Sequence, residues 1–231
     1  MSSTEVVSDE MAAMLSTCAV RRLWVEQDEG PYHREAQPAR RDVVEDREGA
    51  ALQLGLRLAR GSGDQPLDGA MVEIWHCDAL GRYSGFPPPG PTIVAAENAP
   101  RVEYLSSQTF LRGRQRSDAA GMVEFRTIYP GWYPGRTVHI HVMVHVDDVT
   151  LTSQLYFPDN VTDEVLSRQP YAERPGRDTT NHTDEILPVG GDPAVLDVTP
   201  VGAASRAAIC LVVPAVGGRP DRPSPRSAHP V

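Results

Sequence analysis

The feature that most constrains the fold is the segment 125–146, FRTIYPGWYPGRTVHIHVMVHV. It opens with an alternating run, turns through Pro-Gly pairs at 130–131 and 134–135, and closes with a second alternating run. Apolar residues at every second position predict strands, because successive side chains of a strand point to opposite faces. His139 and His141 are two residues apart and therefore share one strand face. The segment predicts two strands joined by a stiff connection, with two imidazoles on one face.

The rest of the chain predicts a mainly β fold, a two-sheet β-sandwich with an N-terminal arm and short helical segments. Leucines at alternate positions of 52–58 indicate a half-buried strand, and 19 Gly and 21 Pro in 231 residues favour many turns. Further strands are predicted at 70–77, 109–112, 122–128, 139–146, 149–157 and 207–213, and helices within 1–22 and 160–174. Three regions follow: an N-terminal helix and arm at 1–40, the sandwich at 41–213, and a disordered Pro- and Arg-rich tail at 214–231.

Composition excludes several classes of protein. The 31 acidic residues outnumber the 22 Lys and Arg, which gives a net charge of −9 and argues against a nucleic-acid partner. No apolar run is long enough for a membrane span, and the first residues lack the basic region of a signal peptide. Cys18, Cys77 and Cys210 form neither a disulfide framework nor a zinc pattern. We therefore expect free thiols, a reducing compartment and a cytoplasmic location.

Two tyrosines and an arginine accompany the histidine pair. Tyr133 lies six residues before His139, on the turn that enters the strand, and Arg136 lies between them. Tyr83 follows an upstream strand, in the loop sequence GRYSG. Two phenolates and two neutral imidazoles form a hard, anionic ligand set. A phenol with a pKa of about 10 needs a strong Lewis acid to ionise at neutral pH, so this set favours Fe(III) over zinc or magnesium.

These residues lie in motifs that resemble those of the intradiol ring-cleavage dioxygenases. The motifs are GAMVEIWHCDALGRYSG at 69–85, FLRGRQRSDAAGMVEFRTIYPGWYPGR at 110–136 and VHIH at 138–141. Weaker matches are EGPYH at 29–33, RDVVEDREG at 41–49, SQLYFPD at 153–159 and DTTNHTDEI at 178–186. The resemblance extends from about residue 18 to about residue 190. It is strongest to the single-domain subgroup and to the subunits of protocatechuate 3,4-dioxygenase, and it also implies a β-sandwich.

The resemblance implies a role for each residue of the site. Tyr83, Tyr133, His139 and His141 match the iron ligands of the family, with Tyr133 and His139 axial and Tyr83 and His141 equatorial. The family places its ligand tyrosine three residues before the arginine, which selects Tyr133 over Tyr129.

Catalytic roles are implied as well. Tyr133 is the ligand that substrate displaces, and Arg136 and Gln154 steady the activated substrate. The alternatives are a surface charge for Arg136, for which the role beside the substrate is favoured, and an exposed polar position on a strand for Gln154, which fits nearly as well.

The implied activity is that of a non-haem Fe(III) dioxygenase acting on an aromatic compound. It would cleave a catechol between the two hydroxylated carbons and give a cis,cis-muconate-type diacid. The expected partners are a catechol-type substrate and dioxygen, without nucleic acid or membrane, and a homo-oligomer is left open. Only five residues separate Tyr133 from His139, where catechol and protocatechuate enzymes carry an insertion that shapes the substrate mouth.

Two alternatives remain open on the sequence. The first is a cupin-like Fe(II) or zinc enzyme that uses His139, His141 and a third histidine such as His145. Against it, four residues of strand place His145 about 13 Å beyond His141. The second alternative is a β-sandwich binding module without catalysis. His76 is expected to be a core or edge histidine, with a supporting role at the site as the other interpretation.

Overall fold

The computed structural model describes residues 7–18, 21–61, 65–89, 105–187 and 193–214. In these ranges the chain forms ten strands, two α-helices and one short 3-10 helix. The strands are β1 (Arg21–Leu23), β2 (Ala51–Arg60), β3 (Gln65–Pro66), β4 (Met71–Trp75), β5 (Arg112–Arg116), β6 (Met122–Ile128), β7 (His139–Val146), β8 (Val149–Tyr156), β9 (Asp197–Val201) and β10 (Ala204–Val213). The helices are α1 (Asp9–Ser16), α2 (Asp159–Leu166) and the 3-10 helix Tyr171–Glu173.

The strands form two sheets, which confirms the predicted β-sandwich. In the first sheet, β10 and β2 lie side by side in parallel; β1 and β9 pair with the free edge of β10, and β3 and β6 with that of β2. The second sheet has the order β5-β4-β7-β8, with every pair antiparallel. The two sheets pack face to face, as strands with one apolar face require.

The core lies between the sheets and contains the apolar positions that the alternation selected. Leu54, Leu56 and Leu58 of β2 are fully buried, as are Ile140 and Val142 of β7. The opposite face of β7 carries His139, His141 and Met143, which are also almost completely buried. This second face is covered by loops and by the N-terminal arm, so both faces of the second sheet are shielded from water.

Strand predictions failed where no alternation marks the strand. The segment predicted as a strand at 109–112 precedes β5, which begins at Arg112, because Leu111 adopts a φ of +57° that breaks the extended backbone. β1 is only three residues long and exposes Leu23, so nothing in its sequence indicates pairing with β10. In the segment 160–174, only α2 and a 3-10 turn are helical.

Helix α1 packs on the outer face of the first sheet, where a glycine allows close contact. Met11 and Leu15, four residues apart on one face of the helix, are fully buried. A Cβ atom built on Gly55 of β2 would lie 2.2 Å from Sδ of Met11, so the helix rests directly on the strand backbone.

The prediction of free thiols was wrong for two of the three cysteines. Cys18, just after α1, forms a disulfide with Cys210 of β10, and their Cα atoms are 6.3 Å apart. The two residues are 192 positions apart in the sequence, and only the packing of α1 against β10 brings them together. Cys77 is a buried free cysteine, as expected.

No helix in the described part of the chain is long and apolar enough to cross a membrane. The tail predicted at 214–231 lies outside the described residues except for Pro214.

Candidate metal centre

The two histidines of the candidate site lie at the start of β7, on the outer face of the second sheet. His139 and His141 are each 2% exposed, and their ring centroids are 4.7 Å apart. Trp75 of β4 pairs with His141 in register, and its ring stacks on the imidazole at 4.8 Å with an angle of 3° between the planes. The flat indole therefore fixes the plane of His141.

His139 is in the tautomer that a metal ligand requires. Its Nδ1 lies 2.7 Å from the carbonyl oxygen of Thr137, which can only accept, so Nδ1 carries the proton and donates it. The lone pair of the neutral ring is then on Nε2. This atom lies 3.1 Å from the hydroxyl of Tyr133 and 3.2 Å from Nε2 of His141. Both imidazoles thus direct Nε2 toward one small volume beside the phenol.

Tyr133 is fixed by a tight turn that also carries Arg136. The amide of Arg136 donates to the Tyr133 carbonyl at 3.3 Å. Pro134 occupies the second position of this turn, and Gly135 occupies the third with a φ of +80°, the arrangement of a type II turn. Tyr133 and Arg136 therefore leave the same turn, and both side chains are buried.

The second tyrosine reaches the site from the loop after β4. Asp78 shapes this loop, because its Oδ1 accepts hydrogen bonds from the amides of Leu80 and Arg82 at 2.9 Å. The Tyr83 ring is 5.8 Å from the Tyr133 ring and 6.1 Å from the His141 ring, centroid to centroid. Its buried hydroxyl has no hydrogen bond of acceptable geometry.

The electrostatics of the four side chains suit a bound trivalent cation. Burial lowers the pKa of His139 to about 3 and that of His141 well below 6.5, so both rings are neutral, as ligands must be. Burial raises the pKa of both phenols, Tyr83 and Tyr133. A buried phenol hydroxyl without a hydrogen bond of acceptable geometry, close to the Nε2 atoms of two imidazoles, is part of a polar cluster that a cation would satisfy. The donor set fits ferric iron, since phenolate oxygen is a hard, anionic ligand.

Arg136 is oriented by partners from distant parts of the chain. Its Nε donates to Oδ2 of Asp184 at 3.0 Å, and Nη2 donates to Oε1 of Gln154. Gln154 of β8 lies opposite His141 in the sheet register, so it is on the same face as the ligands. The structure thus brings Arg136 and Gln154 together beside Tyr133. It also adds Asp184, which lies in the motif DTTNHTDEI but had no predicted role.

The arm forms a wall of the site that sequence reasoning did not assign in detail. Tyr32 stacks on Tyr83 at 4.5 Å and meets the edge of Tyr133 at 6.3 Å. Gly30 lies over His141 with a φ of +74°, and a Cβ atom there would be 3.3 Å from Cε1 of the imidazole. The match of EGPYH to the family was the one signal for this contact.

The three-histidine alternative does not survive the geometry. His145 points to Glu73, whose Oε1 is 3.2 Å from its Nε2, and to Thr150, and its side chain is 36% exposed. Among the described residues, no group of three or more His, Cys, Asp and Glu side chains could hold a metal. The physical reason is the rise of the strand, which carries His145 away from His139 and His141.

Two further side chains have structural roles. His76 is fully buried, with Nε2 at 2.7 Å from the hydroxyl of Thr127 and Nδ1 at 2.8 Å from the Cys77 carbonyl, which agrees with a core histidine. Tyr129 is buried, and its hydroxyl is 2.7 Å from that of Thr162 in α2.

Fold and site together define a β-sandwich protein with a buried Tyr2His2 cluster and an adjacent arginine on the outer face of one sheet. A family model described as "Dioxygenase" matches residues 27–174, which include all four members of the cluster and Arg136. The chain belongs to the intradiol ring-cleavage dioxygenase family.

Solved structures with the same fold cover nearly all of the chain. An intradiol ring-cleavage dioxygenase from Tetranychus urticae is 29% identical, with a TM-score of 0.74 over 88% of this chain and 98% of that one. The dioxygenase domain of a dioxygenase carbohydrate-binding protein fusion from Streptomyces sp. SirexAA-E is 26% identical. Its TM-score is 0.58 over 83% of this chain and 98% of that domain.

Curated relatives match over shorter segments. The beta chain of protocatechuate 3,4-dioxygenase from Burkholderia cepacia is 32% identical over 124 residues, which are 48% of this chain and 48% of that one. Catechol 1,2-dioxygenase 1 from Acinetobacter lwoffii is 30% identical over 113 residues, 41% of this chain and 32% of that one. The chain therefore spans about half or less of the length of these two relatives.

Proposed function

We propose that this protein is a non-haem Fe(III) dioxygenase that cleaves a catechol between its two hydroxylated carbons, giving a cis,cis-muconate-type diacid. The observation that carries the proposal is the convergence of Tyr133 and the two histidine Nε2 atoms beside the unsatisfied hydroxyl of Tyr83. The proposed substrates are a catechol-type aromatic compound and dioxygen, which places the activity in the breakdown of aromatic compounds.

The proposed ligands are Tyr83, Tyr133, His139 and His141. Bound there, ferric iron would act as a Lewis acid that draws electron density from a chelated catechol and makes its ring carbon reactive toward dioxygen. The protein supplies two neutral imidazoles, and the Thr137 carbonyl holds the proton of His139 on Nδ1, which leaves Nε2 of that ring available to a metal. It also excludes water, since all four side chains are at most 8% exposed.

Tyr133 is the proposed acceptor of a substrate proton. A catechol that chelated the iron would give up two protons, of which the Tyr133 phenolate would accept one and a hydroxide ion held at the site the other. The Tyr133 hydroxyl is next to Nε2 of His139, and the charge of Arg136 lowers the pKa of this phenol against the larger effect of burial. The family resemblance assigns the displaced ligand to the same residue.

Arg136 and Gln154 are proposed to steady the negative charge that develops on the substrate. A guanidinium that is buried and oriented before the reaction stabilises such charge without reorganisation. Asp184 holds Nε, and Gln154 receives Nη2, so the plane of the guanidinium is fixed. Burial opposes the charge of Arg136, but the neighbouring Tyr133 and Asp184 raise its pKa, and it stays protonated.

The test is a visible absorption spectrum with an iron determination, followed by addition of catechol with and without oxygen. We expect one iron per chain and a broad tyrosinate-to-iron band that changes when catechol is added under nitrogen. With oxygen, we expect uptake and incorporation of both atoms of 18O2 into a ring-opened diacid. Tyr83→Phe and Tyr133→Phe should each weaken the band.

Two outcomes would contradict the proposal. A colourless protein with stoichiometric zinc or ferrous iron would rule out coordination of the metal by tyrosinate. A protein that cannot be loaded with iron and consumes no oxygen with any catechol would instead be the binding module without catalysis.

A further inference from the structure

Arg112 is a fully buried charged side chain near the site that belongs neither to the proposed ligands nor to the proposed catalytic residues. It is the first residue of β5 and is 0% exposed, in a strand that contributes no ligand. Burying a guanidinium is unfavourable unless its donors are satisfied, so its partners indicate what the residue does.

The guanidinium of Arg112 joins the loop that carries Tyr83 to the arm that covers the site. Nε donates to the side-chain hydroxyl of Ser84 at 2.6 Å, and Nη2 donates to the Ser84 carbonyl at 3.1 Å. Nη1 donates to the carbonyl of Tyr32 at 2.8 Å. Ser84 is fully buried and directly follows Tyr83 in the chain. One planar group therefore spans two segments that have no strand pairing with each other.

The same guanidinium lies close to the aromatic rings of the site. Its central carbon is 6.0 Å from the centroid of the Tyr83 ring and 5.3 Å from that of Phe86. Tyr32, whose carbonyl Arg112 binds, stacks on the Tyr83 ring. Tyr83 is thus in contact with the arm and close to Arg112, and Arg112 fixes the arm as well.

Tyr83 needs such support more than the other tyrosine does. The hydroxyl of Tyr133 is directed toward His139, and a type II turn fixes its backbone. The hydroxyl of Tyr83 has no comparable hydrogen bond, so its position depends on what surrounds its ring and its backbone. The residues that supply this support are Ser84, Tyr32 and Arg112.

We infer that Arg112 is a positioning residue that sets the orientation of Tyr83 toward the metal and fastens the arm over the site. This inference rests on the proposed function, because it concerns the same metal centre. Lysine is a poor substitute, since one ammonium on a flexible stem cannot reproduce three directional hydrogen bonds from a planar fork. Residues that orient metal ligands in this way typically change metal affinity about 10- to 100-fold when they are replaced.

The experiment compares Arg112→Lys and Ser84→Ala with the wild-type holoenzyme. For Arg112→Lys we expect weaker iron binding by about 10-fold or more, and a tyrosinate-to-iron band that shifts or loses part of its intensity. Ser84→Ala removes only one acceptor and should shift the same band in the same direction by less. In the double variant the effects should not add, because both changes break the same contact.

Arg177→Lys is the matched control. Arg177 is another nearly buried arginine, whose side chain is 8% exposed and which binds Asp159 and Asp163 of α2 rather than the site. The same substitution there should leave the visible band and the iron affinity unchanged. If Arg112→Lys does not fold, Ser84→Ala decides the question.

The outcomes separate this inference from the proposed function. A coloured, iron-containing wild type with Arg112→Lys and Ser84→Ala variants of unchanged spectrum and affinity would overturn the role of Arg112 and leave the function standing. A wild type without a tyrosinate-to-iron band would overturn both. Equal spectral changes in Arg177→Lys and Arg112→Lys would assign the effect to general destabilisation and would also overturn the role.

Discussion

The carboxylate of Asp184 accepts four hydrogen bonds, of which only one comes from Arg136. Its Oδ2 accepts from Nε of Arg136 and from the amide of Thr137, and its Oδ1 accepts from the amides of Ile186 and Leu187. Burial raises the pKa of this carboxyl, but Arg136 and the amides outweigh it, so the pKa is lowered and the group is ionised. A carboxylate fixed by its own loop in this way is a rigid support for the guanidinium.

We predict that Asp184→Asn lowers kcat for ring cleavage and keeps the iron. An amide has one acceptor oxygen instead of two, so its NH2 group must face either Nε of Arg136 and the Thr137 amide or the amides of Ile186 and Leu187. In either arrangement donors face donors, and the guanidinium loses its orientation. Charge-assisted hydrogen bonds contribute about 1.5–3 kcal/mol, which corresponds to a fall of roughly 10- to 100-fold. Steady-state oxygen uptake and the visible spectrum, measured on the same preparation, check this.

Asp178→Asn is the control for this substitution. Asp178 is exposed and accepts a hydrogen bond from the Gly135 amide at 3.1 Å on the same turn, so a small effect is expected. Loss of iron from Asp184→Asn, in step with the loss of activity, would mean that Asp184 maintains the fold of the site rather than the position of Arg136.

At the scale of elements, the arm shows how a segment without apolar periodicity is ordered. The side chain of Gln27 donates to the Tyr156 hydroxyl at 2.8 Å and accepts from the backbone amide of Gln154 at 3.0 Å. The hydroxyl of Ser153 donates to the carbonyl of Val25. Polar side chains thus attach the arm to the edge strand β8. Because these contacts depend on partners more than a hundred residues away, local sequence gives no sign of them.

His33 fastens the other end of the arm to the sheet. Its Nδ1 is 2.8 Å from Glu29, its Nε2 is 3.4 Å from Glu73 of β4, and its ring packs on Trp75. Burial lowers the pKa of His33, but the two carboxylates outweigh this effect and raise it to about 9. The protonated imidazole is therefore part of the folded structure at neutral pH. Glu73 is shared with His145, which lies on its other side.

We predict that this ion pair makes stability depend on alkaline pH. The pKa of His33 is higher in the folded state than the ordinary value of 6.5, so its stabilising contribution is complete below pH 6.5 and is lost as pH rises through about 9. His33→Gln should lower the free energy of unfolding at pH 6 and have little effect at pH 10. Chemical denaturation of both proteins across this range measures the difference.

His182 is exposed and supplies the comparison. His182→Gln should leave the free energy of unfolding at pH 6 close to that of the wild type. A His33→Gln variant that is equally destabilised at pH 6 and pH 10 would mean that the packing of the ring on Trp75 matters and its charge does not.

At the scale of the molecule, one disulfide connects the two ends of the described chain. Helix α1 covers the outer face of the first sheet through Met11 and Leu15, and Cys18 ties its end to Cys210. Ser8, at the start of the helix, donates its amide to Glu124 of β6 at 2.7 Å. The helix is therefore attached at both ends, although it is only eight residues long.

We predict that Cys18→Ser lowers the free energy of unfolding by roughly 2–5 kcal/mol, because the bond closes a loop of 192 residues in the unfolded chain. Peptide mapping without reductant should recover the peptides of Cys18 and Cys210 as one linked species. Added reductant should leave the free energy of unfolding of Cys18→Ser unchanged. It should lower that of the wild type to the value of the variant. Recovery of both cysteines as free thiols in the native protein would contradict the structure. The cytoplasmic location stays a prediction, and disulfides are uncommon there.

The sandwich and the residues of the candidate metal cluster can both be predicted from the sequence alone. Alternating side chains mark β2 and β7 as strands without knowledge of any partner, because the period of a strand is a local property. His139 and His141 share a face for the same reason, and the Pro-Gly turn ties Tyr133 to Arg136. The motif resemblance added Tyr83, which is fifty residues from Tyr133.

The surroundings of that cluster depend on contacts that exist only in the folded chain. Four sets of contacts join residues whose local sequence gives no sign of the partner. They are the disulfide, the contact of Asp184 with Arg136, the contacts of Glu29 and Glu73 with His33, and the hydrogen bonds of Arg112. β1 was not predicted because it has only three residues. β5 was predicted too early in the chain, because it begins only after Leu111, a residue of positive φ. Such contacts form because the packed sheets bring distant polar groups together where water is excluded, and each buried polar group then needs a hydrogen-bond partner. The spacing of residues along the sequence does not indicate which distant groups will meet.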